Sequence, residues 1–342
     1  MLREAIPSTF DKCPEANRVE CNICQRACKL TEGGIGFCSG YQAENGTLID
    51  LTYGKITTAQ VTKLGWAPVS DYADPSDEIL SVGSRGCNLR CSHCINFTHA
   101  FARHDRKDDT LVSPTSLVEY AKLMGCKGIA ANFNEGLLAV AFWKDIFEAA
   151  HAQNLYTIAV TNGYATRQVL DVICPHLDVY RCDIKAIKGS TMRQQGNQGV
   201  NPQGILDSLT YVKEHYPATH IEIVTMISPG INDSPEEIQK IVTWIRDNLG
   251  ADTPWHISPM DPIQTSKTVP PPAYIKPDEI MTNNTFTGFS ITFDNSGAFL
   301  QVGNNDLISL STSSIQTDLL EKIATIGRDS GLRNVIIKTD GH

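Results

Sequence analysis

The chain has 342 residues, of which 41% are hydrophobic and 20% charged, with a formal net charge of −9. Those values suit a globular protein with one large α/β unit and appendages, or two units, and no strong basic run offers a general nucleic-acid surface. No run of eighteen apolar residues exists to span a bilayer, and Met1-Leu2-Arg3-Glu4-Ala5-Ile6-Pro7 lacks the apolar core of a signal peptide, so a cytoplasmic protein with neither membrane nor nucleic-acid partners is expected.

In a reducing compartment, eleven cysteines point to metal or redox chemistry rather than disulfides. Residues 1–75 read as a Cys-rich segment. Cys21, Cys24, Cys28 and Cys38 follow C-x2-C-x3-C-x9-C. Four thiolates so spaced make a closed metal site, with zinc, one iron or an auxiliary cluster all open. Thr47–Tyr53, bounded by Gly46 and Gly54, reads as a strand in a small β-rich region.

Residues 76–262 change character. Strands are predicted over Ile79–Val82, Gly128–Phe133, Tyr156–Thr161, Val179–Ile184, His220–Ile227 and Trp255–Ser258. Helices are predicted over Thr115–Leu123, Ala139–Ala152, Ala165–Cys174, Gln203–His215 and Pro235–Leu249. Ser234-Pro235-Glu236-Glu237 is a good helix start, with a cap residue, an early proline and early acids. Alternation of this kind argues for a parallel sheet with right-handed crossovers, and six strands are too few for a closed eight-fold barrel. Residues 263–342 form an extension. Pro270-Pro271-Pro272 reads as a stiff linker. Phe289–Phe293, Ala298–Val302 and Leu307–Leu310 read as a small meander, with Asp294-Asn295-Ser296-Gly297 as a turn. Asp318–Asp329 reads as a final helix and Val335–Lys338 as a final strand.

The most informative feature is Cys87, Cys91 and Cys94, spaced C-x3-C-x2-C, just after the first strand of the alternating region. Chemistry in α/β proteins concentrates at such strand ends. Three thiolates can hold three corners of a cubane iron–sulfur cluster, whereas most clusters take four, and the remaining iron is left open to a small molecule. Cys13, Cys126, Cys174 and Cys182 stand singly and read as buried side chains.

The run Gly86-Cys87-Asn88-Leu89-Arg90-Cys91 resembles the radical S-adenosylmethionine (SAM) enzymes. More narrowly it is similar to the activators of glycyl-radical enzymes such as pyruvate formate-lyase, and to the AmmeMemoRadiSam branch, whose N-terminal cysteines Cys21, Cys24, Cys28 and Cys38 also resemble. The resemblance implies a partial (βα)6 TIM-like barrel, a [4Fe–4S] cluster on the triad and SAM on its open iron. One electron, from a donor such as ferredoxin or flavodoxin, then yields a 5′-deoxyadenosyl radical that abstracts hydrogen from a protein or peptide.

Further strand ends match. Asn134-Glu135 stands where the branch has Asn-Glu-Pro, with Gly136 replacing the proline and loosening the turn, and Glu135 would accept the SAM amine. Thr161-Asn162-Gly163 resembles the family's Thr-Asn-Gly, and Asp183-Ile184-Lys185 its Asp-Ile-Lys, in which Lys185 would help hold SAM and Asp183 support it. Thr225 and Pro229-Gly230-Ile231-Asn232-Asp233 resemble the fifth-strand signature. His93 would pack on the adenine, and His256 would lie near the ribose or adenine. The ordinary readings of these residues are a solvated loop acid, an Asn-Gly turn, a surface ion pair and a structural histidine. Ser258-Pro259 occurs where the family often has arginine, so that role does not transfer. Two alternatives stand beside hydrogen abstraction. One is C-methylation of a protein residue with cobalamin, as in modification of methyl-coenzyme M reductase, although no Asp-x-His-x-x-Gly motif is present. The other is a non-catalytic iron–sulfur electron carrier.

Overall fold

The computed structural model describes residues 12–13, 18–102, 111–259, 289–294, 297–302, 308–310 and 314–337. The Pro270-Pro271-Pro272 linker and the centre of the Asp294–Gly297 turn lie outside them.

The N-terminal segment forms two small antiparallel sheets. One contains β1 (Lys12–Cys13), β2 (Arg18–Cys21) and β3 (Cys28–Thr31); the other pairs β4 (Tyr41–Glu44) with β5 (Thr47–Asp50). Asn45 and Gly46 join β4 to β5 with φ of 52° and 70°. Asn-Gly is the dipeptide that a tight hairpin needs, because both central residues must take positive φ.

The main sheet has eight strands. β6 (Thr58–Lys63) pairs antiparallel with β7 (Glu78–Gly83); then β8 (Gly128–Ala131), β9 (Tyr156–Thr161), β10 (Val179–Asp183), β11 (His220–Ile227) and β12 (Trp255–Pro259) follow in parallel order. After β7 a short α1 (Phe97–Ala100) precedes α2 (Pro114–Leu123), and α3 (Val140–His151), α4 (Arg167–Ile173), α5 (Gly189–Gln194), α6 (Pro202–His215) and α7 (Pro235–Asn248) fill the later connections. The predicted six-strand parallel core is therefore present, element by element. It is an open, partial (βα)6 barrel. Strands buried on both faces read as nearly continuous apolar runs, which is why periodicity located them.

Two features enlarge that core. α8 (Ser314–Asp329) begins four residues before the predicted start, in a Ser/Thr-rich run whose weak helix propensity conceals it. The final strand, β16 (Val335–Ile337), pairs in parallel with β12, Trp255 opposite Val335, and so extends the sheet. The meander of β13 (Phe289–Asp294), β14 (Gly297–Val302) and β15 (Ile308–Leu310) forms its own antiparallel sheet.

An open barrel leaves an interior to fill. Leu64, Ala67 and Val69, after β6, pack against Ile79, Ala130, Ile158 and Val179 and close it below the strand ends. The larger apolar cluster lies between sheet and helices. The C-terminal ends of β7 to β11 are thus left to carry loops.

Candidate active site

The triad lies on the loop after β7, and other strand ends hold that loop in place. Asn134, after β8, accepts from Ser84 N (3.0 Å) and donates Nδ2 to Ser84 Oγ and Gly86 O (2.9 Å each). Within the loop Cys94 N donates to Cys91 O (3.2 Å). Nitrogens converge on the sulfurs. Leu89 N and Asn162 Nδ2 lie 3.3 and 3.7 Å from Cys87 Sγ, and Asn197 Nδ2 lies 3.3 Å from Cys91 Sγ. None of the three cysteines is in a disulfide. Burial pushes the Cys87 thiol far up and the Cys94 thiol up to about 11. N–H donors facing the half-buried sulfurs of Cys87 and Cys91 suit thiolates bound to iron, which needs the acceptor form. The donor set fits a cluster in which each thiolate binds a different iron. Among the described residues no three His, Cys, Asp or Glu side chains converge on a single ion.

Glu135, buried beneath the loop, accepts from Thr161 Oγ1 (2.7 Å), Asn162 N (2.7 Å) and Leu137 N (3.3 Å). Burial raises its pKa to about 7 against those three donors. The carboxylate thereby ties the end of β8 to the end of β9. Asn162 continues the link, donating to Asn88 Oδ1 (2.8 Å), and Asn88 donates to Tyr164 O (3.1 Å). Gly136 does not loosen the turn, contrary to the sequence expectation. A Cβ there would stand 2.7 Å from the Ala131 Cβ, so close packing requires glycine.

A second group lies at the end of β10. Asp183 accepts from Arg181 Nη1 (2.5 Å) and Lys185 Nζ (2.8 Å). Burial would raise the Asp183 pKa, but the two cations hold it below the ordinary carboxylate range. Lys185 is raised: burial opposes its charge, and Asp183 outweighs that. His93 is buried, and its pKa falls to about 4 through burial and then the Lys185 charge, so the ring is neutral at pH 7. Asn232 Nδ2 donates to Lys185 O (3.0 Å) and Thr225 Oγ1 to Ile184 O (3.1 Å), so the fifth-strand residues brace this turn.

His256 is spent differently. It is level with Val224 in the register, which in turn is level with Asp183, but its Nε2 bonds to Glu222 Oε2 (2.5 Å), and both side chains are fully buried. Ser70 N, Asp71 N and His220 Nε2 also face Glu222, so this pair belongs to the floor of the barrel.

The N-terminal segment docks on the same face as the triad. Cys21 and Cys28 are register partners on β2 and β3, and Cys24 bridges to Ala165 beyond β9. Burial pushes Cys21 up to about 12 and Cys24 to about 11, and it raises Cys38 well above the ordinary thiol value, with the charges of Cys24, Cys21 and Cys28 adding to it. Tyr41 Oη donates to Leu138 O (2.6 Å), Thr166 Oγ1 to Asn22 O (2.7 Å) and Gln25 Nε2 to Ala165 O (3.0 Å). Arg90, inside the triad, donates to Phe37 O (2.7 Å), and the guanidiniums of Arg26 and Arg90 lie 3.7 and 4.2 Å from the Phe37 ring centroid. Sequence reasoning missed Arg26, Phe37, Asn88, Arg90 and Asn197. Asn88 and Arg90 sit inside the motif, yet only the fold shows that they connect it to residues far away in sequence.

Fold and site together give an open α/β barrel with three cysteines on one strand-end loop. Residues 81–245 match the Radical SAM superfamily model. It is 28% identical over 79% of its length to an uncharacterized protein of Methanocaldococcus jannaschii, covering 78% of that protein. It is 31% identical over 32% of its length to the (2S)-3-sulfopropanediol sulfolyase activating enzyme of Bilophila wadsworthia, covering 36% of it. It is 26% identical over 48% of its length to the pyruvate formate-lyase-activating enzyme of Clostridium pasteurianum, covering 67% of it. The chain thus resembles the activating-enzyme branch, and its family implies a [4Fe–4S] cluster and SAM.

Proposed function

We propose that Cys87, Cys91 and Cys94 hold the cluster and that the enzyme abstracts hydrogen from a protein or peptide, either to activate a glycyl-radical enzyme or to modify a backbone. When bound, the cluster and SAM supply a one-electron reductive cleavage that side chains cannot perform. The observation that carries this reading is the convergence of the β8, β9 and β10 ends on one cysteine loop through Asn134, Asn162 and the 195–197 turn. Asp183 and Lys185 offer a fixed charge pair beside that loop, and His93, within it, a neutral, flat ring. Glu135 and His256 support the walls, since their described bonds go to the protein itself. The activating-enzyme names of several relatives favour a protein substrate. Cys21, Cys24, Cys28 and Cys38 are proposed to hold a second, closed metal site, and because no three of them converge on a single ion an auxiliary cluster suits them better than one iron or zinc; a cytoplasmic ferredoxin or flavodoxin is the expected donor.

Anaerobic incubation of iron-reconstituted protein with SAM and dithionite tests the reading. 5′-Deoxyadenosine is expected from the wild type and not from Cys87→Ala. No product from fully reconstituted wild type would overturn it. Cobalt and a corrinoid absorption band in the same sample would instead favour the methyl-transfer alternative. Iron and zinc counts in Cys21→Ala and Cys87→Ala assign the metal of each site.

A further inference from the structure

Asn197 lies in the turn between α5 and α6, far in sequence from the triad, and is fully buried. Its Oδ1 accepts the Arg90 peptide N–H (2.8 Å), and its Nδ2 lies 3.3 Å from Cys91 Sγ. A peptide N–H can only donate, so the amide oxygen must face Arg90 and the NH2 must face the sulfur. A neutral thiol is a weak acceptor, whereas an iron-bound thiolate is a strong one. The neighbours of Asn197 complete a clasp. Gln195 O accepts from Ser92 N (2.8 Å), and Gln195 Nε2 donates to Lys185 O (3.2 Å). At Gly196, φ is +88°, and a Cβ would stand 2.6 Å from Arg90 O. Three consecutive residues therefore grip residues 90–92 at the closest approach that backbone allows, and one of them points a donor at a cluster ligand.

We propose that Asn197 is a positioning residue that fixes Cys91 as a cluster ligand and, through its N–H···S bond, sets the cluster's reduction potential. The proposal rests on the cluster reading of the triad. A donor to a ligand sulfur stabilises the more negative reduced cluster, so it raises the potential. Asn197→Ala removes the donor, and Asn197→Asp places an oxygen against the sulfur while keeping the acceptor for Arg90.

The test is an EPR-monitored redox titration of reconstituted wild type, N197A and N197D, with iron content and circular dichroism of each. The expected midpoint potentials become more negative in the order wild type, N197A, N197D. Equal potentials at equal iron content would overturn the proposal, because a merely structural residue would leave the potential unmoved. If both variants failed to fold without metal, Asn197 would be a core residue and the proposal would fall; if one failed, the other's potential decides. A wild type that takes up no iron on the triad would remove the cluster reading and the proposal with it, a result distinct from an unshifted potential.

Discussion

Two buried glutamates set opposite pH dependences at the scale of single residues. Glu222 accepts from His256, His220 and two backbone amides, and although burial opposes its charge these bonds bring its pKa down to about 2. A depressed carboxylate contributes stability above its ordinary pKa, and that contribution is lost as pH falls through the folded value. The shift corresponds to about 3 kcal/mol. Glu222→Gln should therefore destabilise the metal-free protein by about 3 kcal/mol at pH 7, and the difference should shrink as pH falls from about 4.5 toward 2, as read by urea denaturation. Glu135 works the other way. With a folded pKa raised to about 7, its contribution is present below the ordinary value and lost as pH rises through 7. Glu135→Gln should flatten the fall in stability between about pH 4.5 and 8, which the same titration measures. Equal pH slopes in wild type and variant would refute this. Neither role was legible in the sequence. Glu135 stands at a strand end like a ligand-binding acid, and only the fold shows its three internal donors, while His256 gives no sign that Glu222 lies next to it.

Elements were the most legible level, because buried strands and amphipathic helices write their period into the chain. The Ser234-Pro235-Glu236-Glu237 start illustrates both the reach and the limit of that reading. Ser234 Oγ accepts from Glu237 N (3.2 Å), as a cap residue should. The buried Glu237 carboxylate does not turn back to its own helix. It accepts from Ile187 N (2.7 Å) and Lys188 N (3.0 Å), on the loop after β10 that carries Lys185. α7 thereby anchors the turn that carries Asp183 and Lys185. Ser234→Ala should cost about 1 kcal/mol, the ordinary worth of a cap. Glu237→Ala should cost more, about 2–3 kcal/mol, because two half-buried amides lose their carboxylate acceptor. A thermal-unfolding comparison showing equal losses would contradict the long-range role. The start of α8 and the pairing of β16 with β12 escaped the sequence reading for a related reason: local propensity is weak there, and the partner is remote.

For the molecule as a whole, the sequence announced the triad and the strand ends but not the way distant segments close around them. The cysteine loop is gripped by residues 134, 162 and 195–197 and covered by the N-terminal segment, contacts between parts of the chain that share no local pattern. At one edge of the sheet α8 packs against β12 and β16, and one residue there makes that packing testable. Gly327 is buried in the last turn of α8, where alanine would ordinarily be better by at most about 1 kcal/mol. A Cβ at that position would stand 2.8 Å from Trp255 Cζ3 and 3.2 Å from Val335 Cγ2, one side chain on β12 and the other on β16. Trp255 has no room to yield, since it is fully buried and its Nε1 donates to Thr225 Oγ1 (3.0 Å), which in turn bonds to Ile184 O beside Lys185. Overpacking of about 1–3 kcal/mol then outweighs the gain in helix propensity. Gly327→Ala should lower the unfolding midpoint and alter the Trp255 emission. A gain in stability would mean that α8 does not press on β12 and β16 at this edge.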